Sequence, residues 1–150
     1  MKFLIAGFGS IGRRHFRNLL AINERDIVFY RTKHSTLPDD ELHGYPVDTS
    51  LEKALAHKPD GVIISNPTAM HLEVAVPAAR AGCHILIEKP ISHNMSRVDN
   101  LYSVLKKSGS KVLVGFQYRF HPTLQKIVSL IKDGAIGDPA LAPTWGAGWC

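Results

Sequence analysis

Long hydrophobic runs are absent from this 150-residue chain. Near the amino terminus only four apolar residues, Phe3–Ala6, follow Lys2 before glycine interrupts them, and such a run is too short for the core of a signal peptide. No later segment approaches the roughly 20 consecutive apolar residues that a membrane-spanning helix needs. We therefore expect a cytoplasmic protein that has no membrane partner.

Cysteine is also scarce. Cys83 and Cys150 are the two cysteines of the chain; they form no CxxC pair and stand in no cluster of metal-ligating residues, which argues against a disulfide framework or a thiolate metal site. With 45% apolar and 21% charged residues, the composition is that of an ordinary globular protein. A chain of this length buries enough surface to fold without cross-links, and we expect no bound metal.

Acidic residues are outnumbered, 13 Asp and Glu against 18 Lys and Arg, which gives a net charge of +5. An excess of this sign fits nucleic acid, anionic small molecules or solubility alone. The basic residues are scattered over the exteriors of predicted helices, and no nucleic-acid recognition motif accompanies them. We therefore expect no nucleic-acid partner.

Short apolar runs alternate along the chain with segments of helical period. Five of these runs are predicted as strands: Phe3–Ala6, Ile27–Tyr30, Gly61–Ser65, His84–Ile87 and Lys111–Gly115. Because the middle runs are apolar throughout, they fit strands covered by helices on both faces, and parallel strands need such helical crossovers. The predicted fold class is α/β, a doubly wound parallel sheet of the Rossmann type with helices on both faces.

Three local signals refine this picture. Tyr45–Val47 is a short extended piece in an otherwise polar loop, and the spacing of Thr49 and Glu52 predicts a capping box at a helix start. Pro77 stands in the middle of a helical pattern over Leu72–Ala81, where it predicts a kink or a break.

A glycine-rich turn directly after the first predicted strand is the most informative motif. Its members are Gly7, Phe8, Gly9, Ser10, Ile11 and Gly12. In a GxGxxG turn the first glycine permits the tight turn, the second lets the backbone approach a pyrophosphate, and the third allows close helix packing. The free amides at the start of the next helix then face the phosphates. The motif predicts dinucleotide binding.

The end of the second predicted strand lacks the acidic residue that binds the ribose 2′-hydroxyl at NAD-preferring sites. Arg31, Thr32 and Lys33 stand there instead. Charge-assisted bonds to phosphate favour arginine, so we predict NADP as the preferred cofactor, with NAD as the other possibility. Alternatively, Arg31 stacks on the adenine, or a solvated charged turn follows the strand.

Two further strand ends converge on the same crevice, because ligands of doubly wound sheets bind outside the carboxyl ends of the strands. After the Gly61–Ser65 strand come Asn66 and Pro67, and an asparagine held extended before proline can present its amide to the cofactor. Ser65 belongs to the same predicted site. His71 follows in the next helix, either as a residue of the cofactor site or as a local packing residue.

Residues at the third strand end carry a family resemblance. The chain resembles the glucose-fructose oxidoreductase/inositol dehydrogenase (Gfo/Idh/MocA) family over residues 1–139. The similar runs are Ser65–His71, Ala81–Pro90 with its Glu88-Lys89-Pro90 motif, Gly115–Pro122 and Gly134–Gly137.

The resemblance implies an NAD(P)-dependent oxidoreductase acting on a sugar-like or polyol substrate. It implies that Lys89 is the catalytic residue beside the nicotinamide, where a lysine assists proton movement or stands as a fixed cation near a forming alkoxide. Glu88 would face the nicotinamide ribose, Gln117 would line the same cleft, and the Lys89–Pro90 peptide bond is a candidate for the cis form. The alternative for Lys89 is a solvated surface lysine.

Members of that family continue into a second, substrate-binding domain. We expect residues 1–135 to form the NAD(P)-binding domain and residues 136–150 to be the truncated start of a missing carboxyl-terminal domain. Such a half would bind cofactor without catalysis of its own, since hydride transfer needs a positioned substrate. We also expect self-association through the region of Leu124–Trp149. The alternatives are a stand-alone dinucleotide-binding or sensing module, and a remnant that does neither.

Overall fold

A computed structural model of the chain describes residues 1–32 and 40–137. Its six strands are β1 (Lys2–Ala6), β2 (Asp26–Tyr30), β3 (Val47–Asp48), β4 (Gly61–Ile64), β5 (His84–Ile87) and β6 (Val112–Val114). They form one parallel sheet in the order β3-β2-β1-β4-β5-β6. This topology confirms the predicted doubly wound fold and places the reversal of strand order between β1 and β4, where such sheets bind ligands.

In the described part of the chain, five helices accompany the strands: α1 (Ser10–Ala21), α2 (Leu51–Ala56), α3 (His71–Arg80), α4 (Val98–Ser108) and α5 (Pro122–Lys132). Single turns of 3₁₀ helix lie at Asp40–Leu42, Thr68–Met70 and Gln117–Phe120.

The sheet separates two hydrophobic clusters. Leu4 of β1 and Val62 of β4 belong to the cluster that also contains buried residues of α3 and α4. Their strand neighbours Ile5 and Ile63 point to the opposite face and join the cluster that contains Phe16 of α1. Because side chains alternate along a strand and both faces are covered, the central strands are apolar at nearly every position.

Three local expectations differ from the structure. Helix α3 runs through Pro77 to Arg80 without a break, because buried residues on either side of the proline pack on the sheet. Helix α2 is capped by Ser50 rather than Thr49, and the Ser50 side chain accepts a hydrogen bond from the Lys53 amide. The predicted extended piece at Tyr45–Val47 is shifted towards the carboxyl end and forms β3.

The chain divides into two compact units, Met1–Gly115 and Phe116–Cys150. The first holds the sheet and α1 to α4; the described part of the second holds the turn at Gln117–Phe120 and α5. The domain boundary predicted at residue 135 stays a prediction, and the expected start of a further domain falls mostly on residues 138–150, outside the described ranges. No helix within residues 1–32 and 40–137 is long and apolar enough to cross a membrane.

Candidate dinucleotide site

The glycine-rich turn joins β1 to α1 at the point where the strand order reverses. Gly7 has a φ of +92°, a conformation that side chains rarely adopt, and its N–H donates to the Tyr30 carbonyl at 3.0 Å. A Cβ on Gly7 would lie 2.6 Å from the Asn66 nitrogen, and one on Gly12 would lie 2.2 Å from the Gly7 oxygen. Both positions therefore require glycine for packing.

Gly9 differs from the other two glycines of the motif. A Cβ built on it would meet nothing within 4 Å, so this position faces open space beside the turn. Gly9 is also the N-cap of α1, and among the described residues no side chain caps the helix or supplies an acidic group in its first turn. The amino end of α1 consequently offers backbone amides and partial positive charge to an anion.

An open cleft of about 600 Å³ lies against this turn. Eight of the predicted cofactor residues line it: Gly7, Phe8, Gly9, Arg31, Thr32, Ser65, Asn66 and Pro67. Tyr30 and Met70 complete the lining, and neither was among the predicted residues. Tyr30 could have been predicted from the sequence, because it is an aromatic residue at the carboxyl end of a predicted strand. No sequence pattern marks Met70 as a lining residue.

The remaining predicted residues lie elsewhere. Ser10, Ile11 and Gly12 form the first turn of α1 and do not line the cleft. Lys33 falls outside the described residues. Gln117 belongs to the second compact unit, in the turn that precedes α5.

Arg31 stands at the carboxyl end of β2. Its side chain is buried, with 6% of its surface exposed, and its N–H donates to the Asp48 carbonyl of β3 at 2.9 Å. The preceding carbonyl, that of Tyr30, accepts from Gly7. The backbone is thus held from both sides at a residue that lines the cleft.

A chain of contacts braces the opposite wall. The Ser65 hydroxyl donates to the Gly7 carbonyl at 2.9 Å and lies 3.3 Å from that of Ala6. The side-chain nitrogen Nδ2 of Asn66 lies 3.5 Å from the Met70 carbonyl oxygen. The side-chain oxygen Oδ1 of Asn66 is buried without a hydrogen-bond partner among the described residues. A buried acceptor of this kind is costly unless a ligand or water donates to it.

Phe8 lines the cleft, and its ring is packed against a charged group. The Arg13 guanidinium lies 4.5 Å from the centre of the Phe8 ring and donates to Glu41 at 2.8 Å. Arg17 makes two further bonds to the same carboxylate, each 2.9 Å long. These bonds, first that of Arg17 and then that of Arg13, lower the pKa of Glu41, so the carboxylate is charged at neutral pH.

The Glu88-Lys89-Pro90 motif follows β5. The Glu88 carboxylate lies 2.9 Å from Nε2 of His15 on α1 and accepts from the Lys89 N–H at 3.3 Å. The Lys89 side chain is exposed, and the Lys89–Pro90 peptide bond is cis, as the resemblance implied. Glu88 and Lys89 do not line the cleft beside the glycine turn, so their contacts with the nicotinamide half stay predictions.

His71 is the first residue of α3 and is only 1% exposed. Its Nδ1 lies 2.9 Å from the Pro90 carbonyl oxygen and its Nε2 lies 3.0 Å from the Asn66 carbonyl oxygen. Both ring nitrogens therefore face backbone groups of this chain, which favours the packing alternative for His71 over a cofactor contact.

Comparison with known proteins gives a consistent picture. The Gfo/Idh/MocA family model, "Oxidoreductase family, NAD-binding Rossmann fold", matches residues 1–116. The chain is 31% identical over 147 residues to the myo-inositol 2-dehydrogenase of Thermotoga maritima, a match that covers 93% of this chain and 43% of that protein.

Solved structures agree with that match. The WlbA dehydrogenase of Bordetella pertussis, in complex with NADH and UDP-GlcNAcA, has a TM-score of 0.79 at 26% identity, covering 91% of this chain and 43% of that one. The scyllo-inositol dehydrogenase of Lactobacillus casei, with bound NAD(H) and scyllo-inositol, has a TM-score of 0.74 at 26% identity, covering 92% and 42%. This chain thus spans about two fifths of the length of these relatives.

Proposed function

The chain belongs to the Gfo/Idh/MocA family of NAD(P)-dependent oxidoreductases, and from this premise we propose that it binds NADP(H) in preference to NAD(H) as the cofactor half of a dehydrogenase. The observation that carries the proposal is the cleft at the β1–β4 reversal. Among the described residues, it combines a helix start without a side-chain cap, an open Gly9 and a buried Asn66 oxygen without a hydrogen-bond partner.

The donor and acceptor groups of the cleft suit the parts of a dinucleotide. Backbone amides at the start of α1 suit the diphosphate, because they donate hydrogen bonds and carry the positive end of the helix dipole. Asn66 Oδ1 accepts, and so suits a hydroxyl or amide donor. When bound, the nicotinamide supplies a carbon that accepts or donates hydride, while the protein's own groups bind and orient it.

Support for NADP comes from the end of β2. Arg31 lies in the cleft lining beside Thr32, at the place where an acidic residue would favour the ribose 2′-hydroxyl of NAD. A guanidinium there donates to a 2′-phosphate, and a hydrogen bond to a charged group contributes about 1.5–3 kcal/mol. On that scale Arg31 would favour NADPH by roughly 10- to 150-fold.

Paired titrations test this preference. We expect the dissociation constant for NADPH to be at least tenfold below that for NADH, and the ratio to fall towards one in R31Q, whose shorter side chain keeps an N–H donor but loses the charge. R80A removes an exposed arginine at the end of α3 and should leave the ratio unchanged. Equal or NADH-favouring constants in the unsubstituted chain would reject the NADP assignment.

A thermal measurement tests binding itself. Ligand at 100 times its dissociation constant stabilises a protein by about 2.7 kcal/mol, and each kcal/mol raises Tm by roughly 2–4 °C at this size. NADPH should therefore raise Tm by roughly 5–10 °C. Absence of any shift at millimolar NADPH and NADH would reject dinucleotide binding altogether.

For the reaction, we propose that Lys89 is the catalytic group, with Glu88 at the nicotinamide ribose and a sugar-like or polyol substrate; Gln117 stays a predicted cofactor residue. A lysine ammonium there moves a proton or stabilises an alkoxide as charge develops. We expect the 150-residue chain to bind cofactor without oxidising polyols, because it spans about two fifths of the length of its relatives and hydride transfer needs a positioned substrate. Absorbance at 340 nm with NADP⁺ and a panel of inositols and sugars checks this, and turnover would contradict it.

Self-association is proposed through α5. Ile127 and Val128 are 40% and 49% exposed on that helix, and exposed apolar residues in a group promote association. Light scattering over a concentration series should detect oligomers that the double variant I127S/V128S lacks. A monodisperse monomer at high concentration would contradict this proposal. The remainder of the predicted region, residues 138–149, lies outside the described ranges.

A further inference from the structure

His71 contacts the two segments that contain Asn66, which lines the cleft, and Lys89, the proposed catalytic residue. Asn66 belongs to the segment after β4, and Pro90 to the segment after β5. Their carbonyl oxygens lie 3.0 Å and 2.9 Å from the two nitrogens of the His71 ring. The imidazole thus lies between the residue that faces the cleft and the residue next to Lys89.

This placement uses the geometry of imidazole. The two ring nitrogens point in different directions, so one rigid side chain reaches two backbone carbonyls. These are the carbonyls of Asn66 and Pro90, which follow the neighbouring strands β4 and β5 at the same edge of the sheet. At 1% exposure a polar ring without partners would cost stability, and these two carbonyls are the polar groups that the ring meets among the described residues. A carbonyl oxygen only accepts, so each ring nitrogen that carries a proton donates to the carbonyl it faces: a neutral ring donates to one of the two, and a doubly protonated ring donates to both. An apolar side chain of similar size would fill the space but would link neither segment.

We infer that His71 is a positioning residue, which holds the Asn66 segment and the Lys89–Pro90 segment in a fixed relation without touching the cofactor itself. The inference replaces the predicted cofactor contact of His71. It deepens the proposed function, and its catalytic meaning rests on that function. Displacement of a reacting group by about 1 Å is enough to slow a reaction strongly, which is why such a link matters for Lys89.

Two conservative substitutions separate the two contacts. The amide of asparagine at this position reaches about as far as Nδ1, so H71N keeps a donor for the Pro90 carbonyl. The amide of glutamine reaches about as far as Nε2, so H71Q keeps a donor for the Asn66 carbonyl. H71L removes both. V76A is the matched control, because Val76 is a buried residue of the same helix whose truncation lowers stability without removing a hydrogen bond.

Hydrogen exchange of the cofactor-free chain gives the first readout, followed by mass spectrometry of peptides covering residues 65–70 and 88–92. H71L should speed exchange at least fivefold in both segments. H71N should speed it mainly in residues 65–70, and H71Q mainly in residues 88–92. V76A should lower Tm and leave both segments within twofold of the unsubstituted chain.

The dissociation constant for NADPH gives the second readout, measured well below the Tm of each variant. We expect H71L and H71N to weaken binding at least fivefold, and H71Q and V76A to stay within twofold. If both segments respond equally in H71N and H71Q, or if V76A changes them as H71L does, His71 only fills space and the inference is wrong.

The two proposals fail in different ways. If the unsubstituted chain binds neither NADPH nor NADH while the exchange pattern of H71N and H71Q still separates, dinucleotide binding is wrong and the positioning role stands. If NADPH binds normally to H71L, the cofactor site is intact and the positioning role is wrong.

Discussion

Gly12 and Gly9 of the β1–α1 turn should respond differently when each is replaced by alanine: G12A should lose stability, and G9A should lose affinity for the cofactor. In G12A the new methyl group would lie 2.2 Å from the Gly7 carbonyl oxygen and 2.9 Å from the Ser65 hydroxyl. The first neighbour is backbone, so the helix must move away from the strand. In G9A the methyl group would meet nothing within 4 Å and would stand where a diphosphate approaches.

The expected magnitudes differ accordingly. Overpacking of this severity costs about 3 kcal/mol, which lowers the Tm of a chain of this size by roughly 6–12 °C. For G9A, the loss of a favourable helix-capping residue costs about 0.5 kcal/mol. The reduced freedom of the unfolded chain returns about 0.4–1 kcal/mol. The stability of G9A should therefore stay within about 0.5 kcal/mol of the parent.

Binding should show the opposite order. The methyl group of G9A keeps the diphosphate from the helix amides, and we expect at least a tenfold rise in the dissociation constant for NADPH, about 1.4 kcal/mol. Thermal unfolding followed by circular dichroism and NADPH fluorescence titration measure the two quantities on the same samples. Normal NADPH affinity in G9A, or an unchanged Tm in G12A, would refute this division of roles.

Three further predictions concern the rest of the fold. Hydrogen bonds from Arg17, and next those from Arg13, lower the pKa of Glu41. The ion pairs of Glu41 therefore stabilise the fold above the ordinary carboxyl pKa, and this stabilisation is lost as the pH falls through the lowered pKa. The Tm difference between the parent and E41Q should shrink from pH 7 to pH 3. Burial raises the pKa of Cys83, so in a C150S background iodoacetamide at pH 8 should modify it at least a hundredfold slower than free cysteine, and a comparable rate would contradict its burial. Phe29 is fully buried within a cluster of edge-to-face rings, and F29A should cost about 3–5 kcal/mol in urea unfolding, whereas a loss below about 1 kcal/mol would contradict the packing.

The sheet was largely predictable because both of its faces are covered. Runs such as Gly61–Ser65 are apolar at successive positions, and this pattern has few explanations other than a central parallel strand. The break predicted at Pro77 was wrong, because the local cost of a proline in a helix is outweighed by the burial of its neighbours Val74 and Ala78. Tertiary packing of this kind has no local signal.

The site divides in the same way. Gly7, Gly9 and Arg31 could be predicted to line the cleft, because a glycine-rich turn and a charged residue after a strand are visible in the local sequence. The two contacts of His71 were not, because they depend on the spacing of β4 and β5 in the sheet. The sequence also carries no sign that Asn66 Oδ1 is buried without a hydrogen-bond partner among the described residues, since that depends on the surroundings and not on the residue type.

The turn between β1 and α1 is braced by main-chain and hydroxyl groups: the Gly7 N–H donates to the Tyr30 carbonyl, and the Ser65 hydroxyl donates to the Gly7 carbonyl. Replacement of the Arg31 or Thr32 side chain would remove neither bond. If Arg31 selects the coenzyme as we propose, protein engineers can alter that selection while these two bonds of the phosphate-binding turn remain in place.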